Sequence, residues 1–186
     1  MRTRKGTQML RTILARRTHT AFQDTPVPES ALNHILTAGM LAPTRFHQRP
    51  WHFVILRDAE VKQEIASALR LKPSLAGAPL WIAVVAEEDG PAAWDLDAAA
   101  AAQSMLIAAT ALGLGSAWLM PWLGNPDALE RVEQLLDLPA NIHLAMILAV
   151  GFPAEELPAH REEEVYEPSR VHQEQVRHAP SKAPAC

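Results

Sequence analysis

From Ala98 to Met120 the chain carries no charged residue, and a stretch of that length has few places to go. It is long enough to cross a bilayer as a helix; otherwise protein must enclose it. A spanning helix calls for more Leu, Ile and Phe and for basic flanks. This stretch is rich in alanine, includes Gln103, Ser104, Thr110 and Ser116, and breaks at Gly113-Leu114-Gly115. We therefore expect a helix from about Trp94 to Leu112, buried all round inside a soluble protein and closed by Gly113 as its C-cap. A short strand, about Ser116 to Leu119, then follows. A core must exist to enclose such a helix. The composition, 48% hydrophobic and 20% charged over 186 residues, can supply one compact domain.

The remaining elements follow from periodicity. Thr7 to Ala15 reads as a helix with Met9, Leu10, Ile13 and Leu14 on one face. Pro26-Val27-Pro28 opens a second helix, with a stripe of Leu32, Ile35, Leu36, Gly39 and Met40, which stops at Ala42-Pro43. Trp51 to Leu56 is a strand, and Asp58 caps a helix running to about Leu69. Pro73 to Pro79 reads as a loop. Leu80 to Val85 is a continuous apolar run expected in mid-sheet, and Glu87 to Pro91 is a polar break. Asn125-Pro126-Asp127 opens a helix with Leu129, Val132, Leu135 and Leu136 inward, and Leu144 to Val150 is a further buried strand. No repeat and no strict βαβ alternation is present, so the expected class is α+β, with four or five strands and five helices. Beyond Pro153 the chain becomes acidic and proline-rich, an extended tail expected to wrap around a second subunit or to be disordered. The expected boundaries are a flexible N-terminus over 1–6, one domain over 7–172, and a disordered tail over 173–186.

Several function classes are excluded by what the residues lack. A formal charge of -4 carries no basic bias, which argues against nucleic acid as the main partner. The single cysteine, Cys186, permits no internal disulfide and fits a reducing, cytoplasmic setting; no signal peptide is expected. There is no nucleophile elbow, no Walker loop and no histidine spacing suited to a metal. Gly113-Leu114-Gly115 follows a helix rather than a strand, which rules out a dinucleotide fingerprint.

Three polar segments interrupt the apolar chain. Arg16-Arg17-Thr18-His19-Thr20, at a helix end, offers paired guanidinium groups and hydroxyls suited to a phosphate. Taken alone, such a pair more often is solvated or satisfies helix carbonyls. Thr44, Arg45, His47 and Arg49, between Pro43 and Pro50, form a rigid loop able to meet a ligand, though a plain polar connection is the commoner reading. At Gly113 to Trp122, glycines allow backbone to approach something closely.

In order and spacing these segments resemble the FMN-dependent nitroreductase family. Arg16-Arg17-Thr18-His19-Thr20-Ala21-Phe22 is similar to the family's Arg-Arg-Ser-x-Arg-x-Phe. Ala42-Pro43-Thr44-Arg45-Phe46-His47-Gln48-Arg49-Pro50-Trp51 is similar to Ala-Pro-Ser-x-x-Asn-x-Gln-Pro-Trp. Gly113 to Trp118 matches Gly-Leu-Gly-x-x-Trp, and Gly151-Phe152-Pro153 matches Gly-Tyr-Pro. The resemblance runs from about residue 8 to 172. The departures are Thr20 for the third basic residue, and His47 and Arg49 for asparagine and glutamine; Leu71 to Ala78 is short.

The resemblance implies a nitroreductase-like fold, a mostly antiparallel central sheet flanked by helices, in a domain-intertwined homodimer holding FMN at the interface. It implies an oxidoreductase in which hydride passes from NADH or NADPH through flavin N5 to a nitroaromatic, quinone or similar small acceptor, in a ping-pong cycle without a catalytic side chain. Arg16, Arg17, Thr18 and Thr20 would hold phosphate and ribityl, completed by Arg161. Pro43, Thr44, Arg45, His47 and Arg49 would approach the partner's flavin. Trp118, Leu119 and Met120 would lie along the ring, with the backbone N–H of Met120 near N5, since Pro121 has none. Trp94 and Trp122 could line the acceptor pocket, although packing is the commoner role for a tryptophan. The alternative is a protein that binds or sequesters flavin without NAD(P)H turnover; a flavin-fragmenting or dehalogenating relative is a third reading.

Overall fold

A computed structural model describes residues 3–88, 94–120 and 126–176. Pro121, Trp122, Asn125, Cys186 and residues 177–186 of the tail lie outside the described residues. Its sheet has the order β1-β2-β4-β3, with every strand pair antiparallel. The strands are β1 (Trp51–Leu56), β2 (Leu80–Glu87), β3 (Gly115–Leu119) and β4 (Ile142–Gly151). The central pair, β2 and β4, is almost wholly buried, which is why both read as unbroken apolar runs. Each reaches further than its apolar residues alone suggest. Ala86 pairs with His143 and Glu87 with Ile142, so the ladder extends both strands over residues of weak strand preference.

Alternation along β2 builds two cores. Leu80, Ile82, Val84 and Ala86 face α2 (Glu29–Met40) and α5 (Trp94–Ala111). Trp81, Ala83 and Val85 face α3 (Ala59–Ala68), α4 (Pro73–Ala76) and α6 (Pro126–Leu135). The expected α+β class with an antiparallel sheet between helices is thus the observed one. Helix α4 is a correction, since a loop was expected there. Pro73 starts the turn, and Trp81 Nε1 donates to Leu75 O at 3.1 Å. Helix α1 (Thr3–Ala15) begins earlier than the expected Thr7.

Helices α2 and α5 pack closely because Gly39 has no side chain. A Cβ there would stand 2.8 Å from Met105 Sδ. The uncharged stretch divides as expected. Gly113, at φ 75, turns the chain, and Leu114 N donates to Ala109 O at 2.9 Å, closing α5 in a Schellman arrangement. Among the described residues no helix is long and apolar enough to cross a membrane. Helix α5 is not buried all round, however. Ala98, Ala101, Ala102, Met105, Leu106 and Ala109 form a buried stripe, while Leu96 and Gln103 are exposed. Its hydroxyls are satisfied internally, Ser104 on Ala100 O and Thr110 on Leu106 O.

On the opposite face Asp58 caps α3, accepting from Glu60 N and Val61 N at 2.9 and 3.0 Å. One turn on, Lys62 is buried and donates to Ala78 O at 2.7 Å. Burial pulls its pKa below the usual lysine value, against the opposing pull of Asp24 and Asp58. Among the described residues beyond β4, up to Val176, the tail holds a single turn of helix, α7 (Glu162–Val165), and a 3-10 turn at Pro168–Arg170, with nearly every side chain exposed.

Candidate functional site

The first and third polar segments meet at the edge of the sheet. Where α1 ends, Thr18 forms a parallel bridge to Ser116 of β3, and His19 N donates to Ser116 O at 2.9 Å. Phe22 then bridges Pro153; Gln23 N donates to Phe152 O and Ala154 N to Ala21 O. Residues 16–23 therefore join β3 to the end of β4. Two glycines make this closeness possible. A Cβ on Gly115 would stand 2.8 Å from His19 Cγ, and one on Gly151 would stand 2.7 Å from Pro79 Cδ and 3.1 Å from Phe22 Cδ1.

Arg16 and Arg17 are half-buried here, while Thr18 and Thr20 are exposed. Arg17 Nη1 donates to Pro158 O at 2.6 Å, and His160 N donates to Leu14 O at 2.9 Å, so the tail crosses the end of α1. That crossing brings Arg161 to the neighbourhood of the paired arginines. Its guanidinium is engaged by Glu164 at 2.7 Å and Glu163 at 3.5 Å, and would have to exchange those carboxylates for a phosphate. Both partners are largely exposed, so that exchange costs little.

At the same edge lie the buried polar atoms Ser116 Oγ, Trp118 Nε1 and His19 Nδ1, none with a hydrogen-bond partner among the described residues. Such atoms are costly unless something satisfies them. Ser116 and Trp118 lie two apart on one face of β3. From Ser116 to Met120 the strand covers about 13 Å. Arg16 and Arg17 stand near one end of that edge and the exposed Met120 at the other, while Leu119 is buried on the opposite face, among the residues packed on α6.

The second segment lies elsewhere. Pro43, Arg45, Phe46, His47 and Arg49 are exposed, and Thr44 is half-buried. Phe46, His47 and Arg49 have φ of 52, 59 and 50, three left-handed residues, none a glycine, interrupted by Gln48 at φ -65. Each such residue costs about 1 kcal/mol or more. Arg49 N donates to Thr44 Oγ1 at 3.3 Å, and the Arg45 guanidinium lies 4.9 Å from the centre of the Phe46 ring. Arg49 also borders a cleft of about 450 Å³ with Leu36, Met40, Trp51, His52 and Phe53. A larger groove, about 870 Å³ between α3 and α6, contains none of the expected residues. The loop leads into β1, at one edge of the sheet; β3, with Arg16 to Thr18, is at the other. Three strand spacings, about 14 Å, separate those edges. One chain therefore assembles the expected residues into two groups rather than one. Trp94 lies beside His143, ring centres 5.7 Å apart, and belongs to neither.

Sequence reasoning missed Asp97. It is buried in the first turns of α5 and faces the loop, its two carboxylate oxygens 3.2 and 3.4 Å from Arg45 N. Its only signal was its place as the last charge before the uncharged stretch.

Comparison with known proteins agrees on one family. The sequence profile described as "Nitroreductase family" matches residues 13–74 and 66–152. A relative from Methanothermobacter thermautotrophicus, provisionally named NADH dehydrogenase/NAD(P)H nitroreductase, is 32% identical over 169 residues, covering 89% of this chain and 86% of its own. The solved structure of an FMN-dependent nitroreductase from Clostridium difficile superposes with a TM-score of 0.82 at 25% identity, over 89% of this chain and 99% of that one. A nitroreductase with bound FMN from Bacteroides fragilis gives 0.69 at 25% identity, over 90% and 99%.

Proposed function

The chain belongs to the nitroreductase family, and from that premise we propose that it is an FMN-dependent oxidoreductase working as a homodimer. Its electron donor is NADH or NADPH, and its acceptor is a nitroaromatic, a quinone or a similar small molecule. The observation that carries this reading is the junction of residues 16–19 with β3, which sets the paired, half-buried Arg16 and Arg17 beside an edge of the sheet. FMN, when bound, would supply two-electron redox chemistry between donor and acceptor.

The protein's own work is binding and orientation. Arg16 and Arg17 neutralise the phosphate, with Arg161 completing the set once released from its glutamates. Thr18 and Thr20 offer hydroxyls to the ribityl chain. Trp118 and Leu119 would lie along the ring, and Met120 would offer its backbone N–H toward it. Pro43, Thr44, Arg45, His47 and Arg49 would reach the ring from a second copy, in keeping with their distance from Arg16 within one chain. Two of these, Arg45 and Arg49, carry permanent positive charge, and positive charge favours reduced, anionic flavin.

Exposed apolar side chains support the two-chain reading. Met9, Ile13, Leu41, Phe46, Leu96 and Met120 are all at least 43% exposed in the single chain.

The test is direct. Purified protein should be yellow, or turn yellow with added FMN. Under anaerobic conditions NADH or NADPH should bleach it within seconds, and a quinone or nitroaromatic should restore the colour. Flavin that stays oxidised would instead identify a binding protein without turnover. A protein that takes up no FMN would remove the proposal.

A further inference from the structure

The loop from Pro43 to Pro50 has a conformation its own residues do not favour. Phe46, His47 and Arg49 all occupy the left-handed region without a glycine among them. Backbone of this kind persists only where surrounding structure over-determines it. The bonds from His47 N to Thr44 O, Gln48 N to Arg45 O and Arg49 N to Thr44 Oγ1 all close on the loop itself. Asp97 reaches it from outside, with both carboxylate oxygens directed at Arg45 N.

Asp97 is well placed to act as an anchor. It is buried near the N-terminal end of α5, where the helix dipole favours a carboxylate. One turn earlier Trp94 packs beside His143, whose ring nitrogens lie 3.0 Å from Glu88 and 3.6 Å from Glu133. The start of α5 is thereby fixed to β4 and α6, and Asp97 with it. A buried carboxylate is costly without partners, so its retention against a backbone N–H calls for a function.

We propose that Asp97 is a positioning residue: through Arg45 N it holds the strained loop, and so sets where Thr44, His47 and Arg49 stand relative to flavin in the paired chain. The inference rests on the FMN reading for its consequence, but not for its geometry. Two readouts separate them. The first is the rate of trypsin cleavage at Arg45–Phe46 in FMN-free protein; the second is the FMN dissociation constant, from flavin fluorescence. In Asp97→Ala the cleavage should rise about tenfold and FMN should bind about tenfold more weakly. Asp97→Asn keeps an acceptor oxygen and should recover most of both, and it remains informative if the alanine variant does not fold. The melting temperature of Asp97→Asn should stay near that of the wild type.

Unchanged cleavage and affinity in Asp97→Ala would overturn the proposal. So would faster cleavage at every exposed site together with a matching loss of overall stability, since that marks a merely structural residue. If the wild type takes up no FMN while Asp97→Ala still loosens the loop, the proposed function fails and the anchoring role stands.

Discussion

At the scale of single residues, two glycines in one short turn have opposite reasons for being glycine. Gly113 has φ 75, and nothing lies within 4 Å of where its Cβ would be. The constraint is purely conformational, so Gly113→Ala should cost about 1 kcal/mol, and Gly113→Asn less, since asparagine tolerates the left-handed region. Gly115 has an ordinary backbone but would press a Cβ against His19 at 2.8 Å. Gly115→Ala should cost about 1–3 kcal/mol by overpacking and should weaken FMN binding by displacing residues 16–19 from β3. Adding His19→Ala should restore much of the stability in a double-mutant cycle by chemical denaturation. Equal losses in single and double variants would show that the contact with His19 is not the cause. The first glycine was legible from the sequence as a helix stop. The reason for the second was not, because His19 is remote in the chain and only the sheet edge brings it there.

Elements were legible where their cause is local and obscure where it is not. Asp58 before α3, Pro28 before α2 and Gly113 after α5 are caps or stops that act within one turn, and each was readable in place. The outer ends of β2 and β4 were not, since Glu87 and Ile142 are in strands because they pair with each other. The tie from Asp97 to Arg45, across 52 positions, left no local trace. Helix α3 carries a prediction of its own through Lys62. Its pKa is lowered in the folded chain by burial, only partly offset by Asp24 and Asp58. Between that lowered value and 10.5 the unfolded chain binds more protons than the folded one, so stability rises with pH across the window. Below the window the full cost of a buried ammonium is present; above it the cost is gone. Lys62→Met removes the titration, and its denaturation free energy should show a flatter alkaline rise than the wild type. Identical slopes would mean that Lys62 ionises as freely in the folded chain as in the unfolded one.

For the whole molecule, the division of expected site residues between β3 and the loop before β1 is what the proposed homodimer has to bridge. The sheet sets these groups at least about 14 Å apart, and at opposite ends of β4, so no rearrangement of exposed side chains closes that gap while β2 and β4 stay buried between them. The motifs were readable one by one; their separation was not, because strand order is not written in any of them. A second copy offers the remedy, and the apolar face of α1 shows where to interfere with it. Met9 and Ile13 are already 59% and 43% exposed in the single chain, so Met9→Glu with Ile13→Glu should change the stability of an isolated chain by no more than about 0.5 kcal/mol at each site. In a dimer the same charges would be buried against apolar surface and strongly unfavourable. Sedimentation should therefore give two chains for the wild type and one for the double variant, whose circular dichroism stays native. FMN binding should fall by more than tenfold in the variant, because the loop carrying Thr44, His47 and Arg49 is no longer delivered to the flavin. A wild type that binds one FMN per chain as a monomer would show instead that Arg16, Arg17 and β3 suffice, and that the loop before β1 serves another purpose.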